Sequence, residues 1–232
     1  MSIEERQQEE KEQRRQTIID AAESVLTEKG PEAMTMSDIA EEARLSRSLL
    51  YVYFEDMDDI ITAVTLRGQR ALRKRFEAVA AEHETGLEKI RAIGEAYVQF
   101  AREEPTYFDL LARFEAQTAD PEEATERERA CFAEADRVMD TMTGAIQDGI
   151  DDGSIRPDLD PTHTAITLWG YTHGLIQLIA NKSAELEQQY GLDAETLVEN
   201  GLDFAGVGLT GNGPARAPNV PTRALPDAAD EQ

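Results

Sequence analysis

The side chains best placed to do chemistry lie in residues 35–54, TMSDIAEEARLSRSLLYVYF. Hydroxyls, phenols and guanidiniums gather there: Thr35, Ser37, Arg44, Ser46, Arg47, Ser48, Tyr51 and Tyr53, with no acid from Arg44 to Phe54. Hydroxyls and guanidiniums can meet base edges or phosphates, and the compact apolar groups of Leu49 and Val52 can meet thymine methyls. That is recognition chemistry rather than bond-making chemistry. Groups that would converge in an enzyme are not apparent in the sequence. The three histidines, His83, His163 and His173, fall in different segments, with no His-x-x-x-His pair and no Cys-x-x-Cys, so neither a catalytic role nor a metal site is expected. No phosphate-cradling Gly-rich loop or nucleophile-elbow serine is present either, and no cofactor is expected.

Two short helices must carry these groups. Thr35, followed three residues later by Asp38, opens like a capping box. Met36, Ile39, Ala40 and Ala43 then recur at helical spacing. Arg44-Leu45-Ser46 forms the turn, and Ser46 caps a second helix from Arg47 to about Tyr53. At roughly 100° per residue, Leu50 and Phe54 point inward, Ser48, Leu49, Val52 and Tyr53 outward, and Arg47 and Tyr51 flank the core side. On these residues alone the segment is a helix-turn-helix whose second helix enters a major groove, or a plain helical hairpin with a partly aromatic core face.

Residues 14–61 resemble the DNA-binding domain of the TetR (tetracycline-repressor-like) family. The resemblance rests on a helix ending in Lys29-Gly30, then Thr35, Ile39-Ala40, Ala43, Leu45-Ser46, Leu50-Tyr51, Tyr53-Phe54 and Ile60. It implies that Ser37, Arg47, Ser48, Leu49 and Val52 face bases while Thr35, Tyr51 and Tyr53 hold phosphates. From the residues themselves, Arg44 and Ser46 join the DNA-contacting candidates, and Arg14 either reaches a phosphate at the edge of the site or only offsets nearby glutamates. Two positions depart from the pattern. Arg44 stands where Gly is usual, implying either a strained turn or a shifted geometry that gains a phosphate contact. Met57 replaces a usual Lys and removes one phosphate contact.

The composition sets the limits. A content of 41% apolar residues suits a protein with a real core, and no run approaches the roughly 18 apolar residues of a membrane span. The charged start, MSIEERQQEEKEQRRQ, is no secretory leader. The single cysteine, Cys131, permits no internal disulfide and fits a reducing cytoplasm as a small buried hydrophobe. The net charge of −24 opposes the usual sign for a nucleic-acid binder. Acids spread throughout, with Arg preferred over Lys, resemble the proteins of salt-accumulating halophiles.

The chain reads as all-α. Residues 1–13 form a charged extension, frayed or helical and exposed. Residues 14–58 form the three-helix DNA-binding domain, with Ile18, Ile19, Ala22, Val25 and Leu26 inward on the first helix and Gly30-Pro31 ending it. Residues 59–210 form a helical ligand-binding and dimerisation domain, and 211–232 a flexible Pro-rich tail. The fourth helix spans about Met57 to Ala81. Its basic band, Arg67, Arg70, Arg73, Lys74 and Arg75, invites a DNA reading, but in the resembled architecture this part of the helix runs away from DNA, and pairing with acids is the expectation preferred. Five more helices follow: Glu88–Glu103, one from Pro105, Glu122 to about Asp151, Pro161 to about Gln188, and one from Leu192-Asp193 to Gly211.

The resemblance implies an effector pocket in the second domain, for which Phe100, Tyr107, Phe108, Phe114, Met139, Met142, Trp169 and His173 are the candidates. Trp169 and His173 share one helical face and each has a polar handle. The last two helices carry Ile166, Trp169, Leu175, Ile176 and Ile179, then Leu197, Leu202, Phe204, Val207 and Leu209, with Gly170, Gly201, Ala205, Gly206 and Gly208 interspersed, and such small residues suit a two-fold helix contact. The expected protein is a homodimeric regulator that binds a palindromic DNA operator, most simply a repressor released by a small-molecule effector. The competing expectation is a ligand-binding or interaction module whose helix-turn-helix no longer binds DNA.

Overall fold

A computed structural model of the protein describes residues 2–115 and 124–211. Among them run α1 (Ile3–Lys29), α2 (Met36–Glu42), α3 (Arg47–Tyr53), α4 (Met57–Ala81), α5 (Gly86–Glu103), α6 (Pro105–Glu115), α7 (Glu126–Asp152), α8 (Pro161–Tyr190) and α9 (Ala194–Thr210), with no strand among the described residues. The chain is all-α, with an N-terminal helix-turn-helix unit followed by a helical C-terminal domain.

Most boundaries are set by caps written into the sequence. The hydroxyl of Thr35 accepts from the Asp38 amide, and the Asp38 carboxylate accepts from the Thr35 amide. Asp160 caps α8 ahead of Pro161, and Asp193 caps α9. The charged start is helical: Ser2 and Glu5 form a capping box, and α1 runs unbroken from Ile3, its exposed first turns merging with the domain that follows. α7 begins at Glu126, where Thr125 and Glu128 form the capping box; the expected start, Glu122, lies outside the described residues. The Pro-rich segment 212–232 lies outside the described residues.

Two cores form, and α4 belongs to both. Ile18, Ala22, Val25 and Leu26 of α1 meet Ile39, Leu50, Phe54, Ile60 and Val64, with Leu110 of α6 added. Further along α4, Leu72 and Phe76 join Ile93, Tyr97, Phe100, Phe108, Ile146, Ile176 and Leu202. Burial of this many large side chains, each worth about 1.5–3 kcal/mol, is the main force holding α4 to both layers. α5 and α7 cross where Gly86 meets Gly149: a Cβ on Gly86 would lie 2.0 Å from the Gly149 nitrogen. The end of α7 and the turn after it also satisfy the first amides of α5, since Asp152 and Ser154 accept from Gly86 and Leu87 at 2.8 and 3.1 Å.

The basic band of α4 is largely paired, as its acidic setting implied. Arg67 holds Asp20 and Glu23 at 2.7 and 2.8 Å, Arg75 holds Glu103 at 2.6 Å, and Arg73 holds the buried Glu134 at 2.5 Å. Cys131 is fully buried, and burial pushes its pKa up to about 12, so it remains a thiol.

Candidate functional site

The turn between α2 and α3 decides how the second helix is presented. The Arg44 amide donates to the Glu41 carbonyl at 3.0 Å and the Leu45 amide to that of Ala40 at 2.9 Å. This is the Schellman arrangement, which needs a left-handed residue just after the helix. Arg44 supplies it, with φ 54, and is the only non-glycine with positive φ among the described residues. Of the two geometries open to the sequence, the strained one is adopted. Its guanidinium stays exposed.

Ser46 then caps α3, accepting the Leu49 amide at 3.3 Å, and its hydroxyl lies 3.0 Å from that of Ser48. Ser37, Ser46, Arg47 and Ser48 are exposed, Val52 is 69% and Tyr51 49% exposed, and Leu49 is half-buried. Tyr53 departs from its expected outward position: it is half-buried and packs on the domain core, whereas Tyr51 stands free. Phe54 explains the exchange. It is the extended cap after the helix, with φ −138 and ψ 136, so Leu50 alone sets the inward direction. Tyr53 lies about 60° from Leu50 around the helix and Tyr51 about 100°.

The outer residues differ in how free they are. Arg14 is exposed, but the guanidinium of Arg15 sits 5.5 Å from the Phe54 ring centroid. The Thr35 hydroxyl donates to Asp38 at 2.6 Å, so a phosphate would have to draw its proton from that bond. Hydrogen bonds from Lys29 and then from the Thr35 hydroxyl and amide hold the Asp38 carboxyl down at about 2.

In the second domain, the structure brings some of the eight pocket candidates together and separates others. His173 stacks on Phe108 at 5.0 Å between centroids and meets Trp169 at 5.8 Å. Tyr97, which is not among the eight candidates, completes this cluster: its hydroxyl is 2.9 Å from His173 Nδ1. Burial lowers the His173 pKa. Phe100 stacks instead on Tyr107, whose hydroxyl donates to Glu23 of α1, so Tyr107 joins the two domains rather than lining a pocket. Phe114 pairs with Phe132, and Met139 packs half-buried on the second core.

The mainly apolar cleft, of about 490 Å³, lies between α5, α8 and α9 and takes only Met142 from the expected eight. Its α8 wall is Leu168 and Thr172. These are each one residue before Trp169 and His173, and one residue is about 100° around a helix. Trp169 and His173 thus share one face, which turns away from the cleft toward Tyr97 and Phe108. Arg91, held by Asp203 at 2.7 Å, stands at the edge of the cleft. On the outside of α8 and α9, Ile166, Tyr171 and Phe204 are exposed, Phe204 by 72%, while Val207, also exposed, stands with Gly206 along the cleft; a Cβ on Gly170, Gly174, Gly206 or Gly208 would meet no neighbouring side chain. Ile176, Leu202 and Leu209, expected with that face, point into the core instead, and Gly201 is filled against Leu175 of the same protomer, where a Cβ would lie 2.6 Å from its side chain.

Among the described residues no group of three or more acidic, His or Cys side chains could hold a metal, and no helix is long and apolar enough to cross a membrane.

Comparison with known proteins agrees with this architecture. The family model "Bacterial regulatory proteins, tetR family" matches residues 18–64. "Tetracyclin repressor-like, C-terminal domain" matches residues 90–205, half of the chain. A Bacillus subtilis protein described as the uncharacterized HTH-type transcriptional regulator YfiR is 28% identical over 155 residues, covering 64% of this chain and 71% of its own. The crystal structure of the transcriptional regulator FadR from Bacillus subtilis in complex with stearoyl-CoA superposes with a TM-score of 0.65 at 20% identity, covering 84% of this chain and 98% of that one. The structure of AibR with isovaleryl coenzyme A and operator DNA gives 0.60 at 18% identity, covering 82% and 97%.

Proposed function

The chain belongs to the TetR family of bacterial regulatory proteins, and from that premise we propose that it is a homodimeric repressor released from a palindromic operator by a small apolar effector. As a helix-turn-helix transcriptional regulator it reads DNA through α3. The observation that carries the reading is the face of that helix: Arg47, Ser48, Tyr51 and Val52 stand exposed on a helix fixed at both ends, with no acid among them. Ser48 and Val52 meet bases, with Ser37, Arg47 and Leu49 beside them. Tyr51, Ser46, Arg44 and Arg14 reach phosphates, and Thr35 and Tyr53 support the backbone approach from partly occupied positions.

Two copies pair through the exposed apolar side of α8 and α9, where the open glycines admit a second backbone. That pairing sets the two recognition helices about one helical turn of DNA apart. The effector enters the cleft between α5, α8 and α9, whose volume lies in the usual range of about 300–1,000 Å³ for small-molecule sites. FadR and AibR are described with acyl-CoA thioesters, and a mainly apolar cleft with an arginine at its edge suits an acyl chain with a polar end. By binding the DNA-free geometry better, the effector shifts the population away from the operator. The protein acts in the cytoplasm, and its acid-rich surface suits a salty one.

Fluorescence anisotropy with the DNA flanking its own gene, against a scrambled duplex over a wide KCl range, tests this. Preference for the native DNA that persists at high salt supports a sequence-reading regulator. Equal, weak binding to both duplexes at every salt moves the assignment to an interaction module with a silent helix-turn-helix.

A further inference from the structure

The end of the recognition helix is held by a side chain from the other domain. Arg127, in the first turn of α7, donates from Nε to Asp59 at 2.5 Å, and its guanidinium lies 5.0 Å from the Phe54 ring centroid. Phe54 is the cap of α3 and is 2% exposed. The other oxygen of Asp59 accepts the Glu55 amide at 3.1 Å, which fixes the extended link between α3 and α4. The ring that caps the recognition helix and the carboxylate that fixes the link after it therefore meet at Arg127. A guanidinium is suited to this double role because it can stack on a ring while donating in its own plane.

α7 continues from this contact as one helix into the effector domain. Cys131 approaches the Thr62 carbonyl at 3.5 Å, Glu134 is clamped to Arg73 of α4, and Met142 lines the apolar cleft. From Arg127 to Met142 is about 22 Å at 1.5 Å per residue. A displacement of α7 at the cleft thus reaches Phe54 and Asp59 without passing through a loop.

We propose that Arg127 is a positioning residue for DNA recognition: it fixes the angle of α3 against α7, and so the half-site spacing that the dimer accepts. This rests on the DNA-binding reading above and adds to it the element through which the effector domain acts. A merely structural pair would change stability and leave spacing alone.

The test compares the full-length protein with Arg127→Gln, Arg127→Lys and Asp59→Asn. Asp59→Asn removes the charge but leaves an oxygen to accept from Glu55, so it serves if Arg127→Gln folds poorly. The first readout needs no DNA: hydrogen exchange of residues 47–59. In Arg127→Gln or Asp59→Asn, exchange there is expected to accelerate about fivefold or more, the lower end of ordinary coupling between sites, with α5 and α8 unchanged. Unchanged exchange overturns the proposal whatever the DNA result. The second readout is affinity for palindromes whose half-sites are moved by one base pair. Arg127→Gln should flatten the wild-type spacing preference while keeping the base preference within each half-site, and Arg127→Lys should restore part of it. A wild-type protein that reads sequence beside a variant with an identical spacing profile overturns the role of Arg127 alone. A wild-type protein with no sequence preference overturns the DNA reading, and this inference with it.

Discussion

Replacing Arg44 with Gly should make the protein more stable and a poorer DNA binder at once. Arg44 has φ 54 at the position where a Schellman turn needs a left-handed residue. A side chain there costs roughly 1–2 kcal/mol. Glycine removes that cost but adds unfolded-state freedom worth about 0.4–1 kcal/mol. The net gain is about 0.5–1 kcal/mol, or about 1–4 °C in Tm for a chain of this size. Arg44→Ala is the control, since it loses the same charge and keeps the strained φ. Calorimetry should rank Gly above Ala, with Ala at or below the wild type. In anisotropy titrations both variants should bind all duplexes more weakly, and the slope of log K against log salt should shrink by about 0.9 for each phosphate that is no longer neutralised. If Gly and Ala melt together, the turn is not strained as described. If only one base position loses affinity, Arg44 reads sequence rather than phosphate.

Four other outcomes follow from the structure. Ser48→Ala and Val52→Ala should change base preference at individual positions, whereas Tyr51→Phe should weaken all duplexes alike; the reverse pattern in a binding-site selection would exchange their roles. Phe204→Glu should shift sedimentation from dimer to monomer with an unchanged circular dichroism spectrum, because it places a charge on the exposed apolar face of α9. Gly86→Ala should destabilise by roughly 2–4 kcal/mol, since its Cβ would overlap the Gly149 backbone and part α5 from α7; chemical denaturation measures it. Burial keeps His173 below its ordinary pKa of 6.5, so the unfolded chain binds the extra proton first. This contribution is complete above about pH 6.5 and is lost as pH falls below it, so the drop in Tm from about pH 7.5 to 5.5 should be smaller in His173→Gln.

Local chemistry was readable from the sequence because it acts over three or four residues. The capping pair Thr35 and Asp38, the Ser46 cap and the Asp160-Pro161 start all lie where the spacing put them. So did the bounds of α4 and the inward stripe of α1. The angle around a short helix was less readable, since it depends on which residue fixes the inward direction. Treating Phe54 as helical turned Tyr53 outward, and Trp169 and His173 lie one residue, about 100°, around α8 from Leu168 and Thr172, which line the cleft. Partners remote in sequence were not readable at all. Tyr97 and His173 are 76 residues apart, and Arg127 and Asp59 are 68 apart. Tyr97 carried a faint signal, as a phenol within an otherwise apolar stripe that needs a hydrogen-bond partner when buried. Arg127 carried none, being one charge among many.

The pairing of cations inside the fold bears on how an acidic protein can hold DNA. Arg67, Arg73, Arg75, Lys89, Arg91 and Arg102 are engaged with carboxylates across helices, away from the recognition surface. Around α3, Arg14, Arg44 and Arg47 are exposed, and among the described residues none of the three is in an ion pair. If all three neutralise phosphates in both copies, they contribute about 5 to the magnitude of the salt slope. Glu41, Glu42, Glu55 and Asp56 flank the same surface and oppose a polyanion. What remains is neutral: the hydroxyls of Ser37, Ser46, Ser48 and Tyr51 and the apolar faces of Leu49 and Val52. Neutral hydrogen bonds and methyl contacts release no counterions, so salt weakens them little. A recognition surface composed this way gives up non-specific affinity first and base discrimination last, and its ratio of specific to non-specific binding therefore rises with salt.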